Sequence, residues 1–342
     1  MSFRNAHGRV PSSSAHTPIL YSQYCINRKQ HLNICNTCRE VCPKGVFSVK
    51  GGEVPLWERC INCGFCSSQC PARCITASPL DVDHYLFSLL ESTLPMIACE
   101  KSNVRADIEV VCLGTIPWEF LAYLSLTHNV VLCRKRCDMC EFHQGAQCFS
   151  RTLEKLERFL GREAFGERVL VVDELPANLD DLRVPGPVFF GGEKRGQNVA
   201  THTASVLSKR DYGGLIFRNM LYNLINYANT RLLEEPFTCD IDLPSLNEGC
   251  FGCGICADLC PHNALTVKSD EQGHVTVSVT AWKCVACGTC STVCRRGFME
   301  TPHPTQVSSL GPRQLAAFEG RFCTRCGRPL APEYDSLCGL CH

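Results

Sequence analysis

Between Pro95 and Glu174 the apolar residues come in short runs, P-M-I-A-C-E, I-E-V-V-C-L-G, N-V-V-L-C-R-K and R-V-L-V-V-D-E, separated by polar residues. Runs of this length, rich in β-branched residues, predict buried strands. Between the second and third, T-I-P-W-E-F-L-A-Y-L-S-L places its apolar residues at the helical period and predicts an amphipathic helix. Further on, S-R-T-L-E-K-L-E-R-F-L-G alternates charges and predicts a helix with one exposed face. Strands alternating with helices predict a small α/β domain over residues 95–174 with a short parallel sheet, whose loops after adjacent strands emerge at one edge. The segment 175–236 reads as a Pro-rich connector followed by a helix, L-I-F-R-N-M-L-Y-N-L-I-N-Y-A-N-T-R-L-L. The polar face of that helix is neutral and amide-rich, so it is expected to pack on the cysteine-rich modules on either side, not on a membrane.

On either side of these segments the spacing of cysteines replaces hydrophobic periodicity as the signal. C-F-G-C-G-I-C-A-D-L-C-P starts at Cys250 and C-V-A-C-G-T-C-S-T-V-C at Cys284, two copies of C-x2-C-x2-C-x3-C. In such runs three closely spaced thiolates hold one iron–sulfur cluster and the fourth reaches its neighbour. The expected sets are Cys250, Cys253, Cys256 and Cys294, and Cys284, Cys287, Cys290 and Cys260. Gly254 and Gly288 allow close backbone approach and Pro261 turns the chain, although Arg295 stands where the second proline would be.

Another copy, C-I-N-C-G-F-C-S-S-Q-C-P, supplies Cys60, Cys63, Cys66 and Cys70. Its companion C-N-T-C-R-E-V-C-P supplies Cys35, Cys38 and Cys42 but has Leu32 in the first ligand slot. Cys25 is the expected replacement, giving Cys25, Cys35, Cys38 and Cys70 as one set and Cys60, Cys63, Cys66 and Cys42 as the other. The alternatives are a free Cys25 beside a cubane with a non-cysteine ligand, or a [3Fe-4S] cluster. With the four half-motifs overlaid, the slot four residues after the last cysteine reads Val46, Cys74, Ala264 and Phe298, and the next reads Phe47, Ile75, Leu265 and Met299. The first slot is apolar, so Cys74 is expected to be a small buried residue against the cluster, not a ligand. The second predicts a short strand roofing it. Both modules, over residues 21–94 and 237–304, resemble the bacterial dicluster ferredoxin, and the resemblance implies four [4Fe-4S] clusters.

In the middle domain Cys99, Cys112 and Cys133 end three predicted strands, and Cys137 and Cys140 follow in C-R-K-R-C-D-M-C-E-F-H-Q-G. These are enough thiolates at one rim for a further metal centre. Here the sequence resembles the small [2Fe-2S]-type domain of the methyl-viologen-reducing hydrogenase delta subunit, a family associated with heterodisulfide reductases. The resemblance rests on Cys99, Cys112, Gly114, Glu119, Phe120, Cys133 and Cys140. It implies a [2Fe-2S] or other cluster, with Cys133 and Cys137 competing for one place. A zinc site and redox-active free thiols are the alternatives. The tract Arg134, Lys135, Arg136 could offset thiolate charge, receive an acidic partner, or be an ordinary solvated loop.

The tail, C-T-R-C-G-R-P-L-A-P-E-Y-D-S-L-C-G-L-C-H, carries two C-x2-C knuckles. Cys323, Cys326, Cys338 and Cys341 are therefore expected to form a zinc ribbon, with rubredoxin-type iron as the alternative and His342 as a replacement that is not favoured. A metal closed by four thiolates has no open position, so its role would be docking or folding. Cys239 stands apart and is expected to be structural. V-F-F-G-G-E-K-R-G lacks the G-x-G-x2-G spacing of a dinucleotide site and reads as a turn.

Composition bounds the function. The chain has 342 residues and 28 cysteines, with 34 basic and 34 acidic side chains. Each cubane with four thiolates adds about −2, so the loaded protein is acidic and a nucleic-acid partner is disfavoured. With no export signal and no apolar run of bilayer length, a reducing cytoplasm and no membrane span are expected. Residues 1–20 are expected to form a mobile arm and 305–342 a linker and zinc ribbon, within an α+β multidomain chain. No nucleotide loop, triad or paired acids stand out, so no catalytic residue is assigned. The expectation is a polyferredoxin-like subunit of a hetero-oligomeric complex, relaying single electrons between a donor and a catalytic oxidoreductase. A redox- or oxygen-responsive regulator or assembly factor is the second reading, supported by Leu32 in a ligand slot. An enzyme with its site in the middle domain is the third, and needs an iron there with an exchangeable ligand.

Overall fold

The structure is a computed structural model that describes residues 8–9, 18–29, 35–47, 55–76, 89–90, 92–175 and 215–341. The Leu32 slot, the connector from 176 to 214 with its glycine turn, and His342 lie outside the described residues.

Two residues of the N-terminal segment, Gly8–Arg9 (β1), pair in parallel with the middle domain. Ile19–Leu20 (β2) pairs antiparallel with Ile75–Thr76 (β3), tying the chain before the first half-motif to the chain after the second. The middle domain supplies Met96–Cys99 (β4), Ile108–Val110 (β5), Val130–Cys133 (β6) and Val169–Val172 (β7). With β1 they form a five-stranded sheet in the order β1-β5-β4-β6-β7, parallel throughout. Side chains alternate across the strands, so Ile97, Cys99, Val130 and Leu132 face the main core while Met96, Ala98, Val131 and Cys133 face the other side.

The helix Trp118–Thr127 (α1) departs from expectation. Every residue from Glu119 to Thr127 is buried, including Glu119, Ser125 and Thr127, so it has no solvent face. Its sheet-facing side was legible in the sequence, but two later helices cover the remainder: His143–Leu160 (α2) and, after Arg162–Arg168 (α3), Ile216–Arg231 (α4). Helix α2 does keep one charged outer face, burying Cys148, Phe149, Thr152, Leu156 and Phe159 on the other. Helix α4 packs on α1 and on the turn Ala281–Lys283 of the second module, so middle domain and second module share one continuous core. Among the described residues no helix is long and apolar enough to cross a membrane.

In the second module Cys239–Leu243 (β8) pairs antiparallel with the strand that follows the last half-motif, as β2 does with β3. Leu265–Ser269 (β9) and His274–Thr280 (β10) form a hairpin; His303–Val307 (β11) is the partner of β8. Pro312–Glu319 (β12), in the stretch read as a linker, adds to β10 as a third strand. Cys239 is buried in β8 opposite Val307, in a structural position.

Candidate iron–sulfur and metal centres

The half-motifs share a backbone device. Gly64, Gly254 and Gly288 have φ of 78°, 80° and 73° and start the short helices Phe65–Gln69, Ile255–Asp258 and Thr289–Val293. Nothing lies within 4 Å of a Cβ built on Gly254 or Gly288, so left-handed conformation, not crowding by protein, is what calls for glycine there. The residue three after each last cysteine is left-handed in all four copies: Gly45, Arg73, Asn263 and Gly297. That turn points the next N–H back at the cysteine, so Val46 N–H donates to Cys42 Sγ at 3.4 Å and Ala264 N–H to Cys260 Sγ at 3.2 Å. At the other end of the motif Asn62 N–H donates to Cys60 Sγ at 3.4 Å. Each of these sulfurs thus has a backbone donor already aimed at it.

No disulfide joins any of the 28 cysteines, and those of the half-motifs gather in four sets. Cys42, Cys60, Cys63 and Cys66 line one pocket, and Cys260, Cys284, Cys287 and Cys290 line another. Cys250, Cys253, Cys256 and Cys294 interact with one another, as do Cys25, Cys35, Cys38 and Cys70. Burial pushes Cys38 up to about 12, with Cys70, Cys35 and Cys25 adding like-charge repulsion. In the same way burial and then Cys253, Cys250 and Cys294 push Cys256 up to about 12, and burial and then Cys284, Cys287 and Cys260 push Cys290 up to about 12. Four such thiols ionise together only around cationic metal. The fit to a cluster is therefore good: clustered thiols, amides aimed at sulfur, and a pocket between the cysteines of two sets.

Cys25 reaches its set through a clamp that sequence reasoning missed. Asn27 Nδ2 donates to Cys35 O at 2.6 Å, and Cys35 N–H donates to Asn27 Oδ1 at 3.0 Å. The two bonds close the loop between Cys25 and Cys35. An asparagine two residues after a cysteine gave no signal that it would do so. Cys74 joins the same set: its Sγ lies 3.4 Å from Cys70 Sγ, and it is buried as expected. The hydrogen bond with Cys74 pulls the Cys70 thiol down, to about 7, while Cys25 and Cys70 together push the Cys74 thiol up.

In the middle domain β4 ends at Cys99, Cys112 follows β5, and Cys137 opens a turn before Cys140. Burial pushes Cys112 up to about 12, with Cys99, Cys137 and Cys140 adding to it. Gly114 N–H donates to Cys112 Sγ at 3.4 Å. Cys133 points to the opposite face of the sheet and interacts with Cys99 alone of the thiols, so of the two competing cysteines Cys137 is the one grouped with Cys112. Of the basic tract, Arg134 pairs with Asp173 at 3.0 Å; burial raises the Cys137 thiol, and Arg134 only partly offsets it.

Glu119 is not at this rim. Its Oε2 lies 2.5 Å from Arg73 of the first module and its Oε1 3.5 Å from Arg218 of α4. Arg218 also donates to the carbonyls of Trp282 at 2.9 Å and Ala281 at 3.3 Å in the second module. One buried carboxylate thus ties three parts of the chain. Burial raises the Glu119 pKa, but Arg73 and Arg218 outweigh it and hold the carboxyl below its ordinary range.

In the tail the sulfurs of Cys323, Cys326, Cys338 and Cys341 all lie within 4.8 Å of one another. Cys326 and Cys338 are 3.7 Å apart, and a tetrahedron of metal–sulfur bonds of ~2.3 Å has edges of ~3.8 Å. Cys338 N–H donates to Cys323 Sγ at 3.4 Å and lowers its pKa to about 6. The set fits a single tetrahedral ion.

Residues 249–298 match the family model of the 4Fe-4S dicluster domain, which spans both half-motifs of the second module. A comparison with curated proteins finds no match. The matched domain and the cysteine sets support an iron–sulfur, ferredoxin-like protein with metal-binding cysteines.

Proposed function

We propose that this protein is a non-catalytic electron-transfer subunit of the cytoplasm, relaying single electrons between a donor and an acceptor oxidoreductase. In this reading the four half-motif sets hold four [4Fe-4S] clusters, Cys99, Cys112, Cys137 and Cys140 hold a further iron–sulfur centre, and the tail holds one zinc. Clusters closed by thiolates supply one-electron exchange and no open coordination position.

The observation that carries the reading is that the five thiol sets follow one another through direct packing. Within the second module the helices Ile255–Asp258 and Thr289–Val293 touch. His262, two residues after Cys260, is buried; its Nε2–H donates to Ala72 O at 2.6 Å, and its ring stacks on Tyr24 at 4.9 Å. Tyr24 precedes Cys25, and Ala72 follows Cys70 by two residues, so the Cys260 and Cys25 sets adjoin. Cys38 repels the thiolate of Cys66, which brings in the next set. A Cβ on Gly145 would stand 2.5 Å from Cys112 Sγ and 2.8 Å from Phe65 Cζ, so Phe65, between Cys63 and Cys66, closes on the middle-domain set. Both ends reach the surface, at exposed Cys253 and beside exposed Met139.

Anaerobically purified, reconstituted protein should contain about sixteen cubane irons, from four [4Fe-4S] clusters, beyond those of the middle domain. Electron paramagnetic resonance (EPR) should show low-potential cubane signals on reduction. Cysteines bound only to zinc, or reduction without such signals, would overturn the reading.

A further inference from the structure

The Cys25 set contains five thiols for four cluster corners. Three of the expected ligands are fixed by motif geometry: Cys35 and Cys38 in the first half-motif and Cys70 in the second. The fourth, Cys25, comes from outside any motif and is held by the Asn27 clamp. Cys74 stands beside it, buried, 3.4 Å from Cys70 Sγ and in hydrogen-bond contact with both Cys25 and Cys70. In the other three half-motifs this slot holds Val46, Ala264 and Phe298, none of which can ligate iron. A thiol therefore occupies the slot only in the module that has lost its regular first ligand.

We propose that Cys74 is a reserve ligand of this centre, able to take the corner that Cys25 leaves. The inference rests on the reading of Cys25, Cys35, Cys38 and Cys70 as a cluster set. In the exchange one iron–sulfur bond to Cys25 breaks and one to Cys74 forms. The proton of the incoming thiol passes to the departing sulfur. Charge and electron count stay the same, and no oxidant or reductant is consumed. The physical basis is proximity: a second thiolate source already inside the site replaces a leaving one without any chain movement beyond a side-chain rotation.

The test compares full-length native protein with Cys25→Ala, Cys74→Ala and the double variant, each reconstituted anaerobically, by iron and sulfide analysis and by EPR. Both single variants should hold the native amount of iron and the native number of reduced cubane spins. The double variant should lose about four irons per chain, one [4Fe-4S] cluster, or show a [3Fe-4S] signal when oxidised. Retention of the other clusters in the double variant would show that it still folds. Loss of a cluster in Cys25→Ala alone overturns the inference. So does a double variant with native iron, because solvent or added thiol would then be holding the corner. A native protein without cubane signals overturns the proposed function and this inference together, whereas native protein with four cubanes and a Cys25→Ala variant with three overturns the inference alone.

Discussion

At the scale of single residues, the half-motifs are conformational as much as chemical. Their cysteines were legible because spacing is a property of sequence, and so were the glycines, though for another reason than close approach: Gly288 has φ 73° with open space around it. Replacing Gly288 by Ala should then cost only the left-handed penalty, about 1–2 kcal/mol, and replacing it by Asn less, since Asn visits that region more readily. Gly252→Ala should cost more, because its Cβ would meet Val275 Cγ1 at 2.7 Å in addition to the strain at φ 75°. Calorimetry of the anaerobic protein should rank the midpoints native, Gly288→Asn, Gly288→Ala, Gly252→Ala, from high to low. Equal midpoints for the Asn and Ala variants would mean that backbone conformation is not what the position selects. Ala286, at φ 53°, gave no such signal, since alanine carries no mark of left-handed geometry and only its place in the repeat singles it out.

At the scale of elements, the four strands of the middle domain were readable from their short apolar runs and the character of α1 was not. A helix shows one neighbour in its periodicity, and α1 has three: the sheet, α2 and α4, the last from a segment about a hundred positions away. Glu119 illustrates the same limit. In sequence it resembles part of a cluster-binding pattern; in the fold it is a buried acid between Arg73 and Arg218. Removing its charge leaves two buried guanidinium groups without their anion, so Glu119→Gln should destabilise by about 3–5 kcal/mol. Urea unfolding followed by tryptophan fluorescence suits the test, since Trp118 lies under Arg218 at 5.7 Å and the Trp282 carbonyl accepts from it. Because the folded-state pKa of Glu119 is depressed, its contribution is complete above the ordinary carboxylate range and is lost only as pH falls through the folded-state value. The gap between native and Glu119→Gln protein should therefore be flat from pH 8 to about pH 5.5. A gap that already narrows across that window would show that the arginines do not hold the carboxyl down.

At the scale of the whole molecule, the arrangement depends on two joints between parts that sequence could only set side by side. One is the Glu119 pair of ion contacts; the other is His262, whose ring stacks on Tyr24 and bonds Ala72 across the two modules. Neither joint was visible in the chain, because each consists of residues from separate repeats and a lone histidine after a cysteine–proline pair carries no period. His262 is the direct contact that sets the Cys260 and Cys25 sets side by side, with Cys287 packed against the first module's core beside it. Loss of the ring stack and of the hydrogen bond in His262→Ala removes about 1–3 kcal/mol between them. Local opening at the joint should become easier by about that amount, so amide hydrogen exchange at Tyr24, Cys25 and Arg73 should accelerate by about fivefold to a hundredfold. Exchange at the far end of the β9–β10 hairpin, around Ser269 and His274, should keep its native rate, and the iron content should be unchanged because no thiol is altered. Unchanged exchange at Tyr24 and Cys25 would mean that the modules are held elsewhere, and the contact between the Cys260 and Cys25 sets would lose its structural basis.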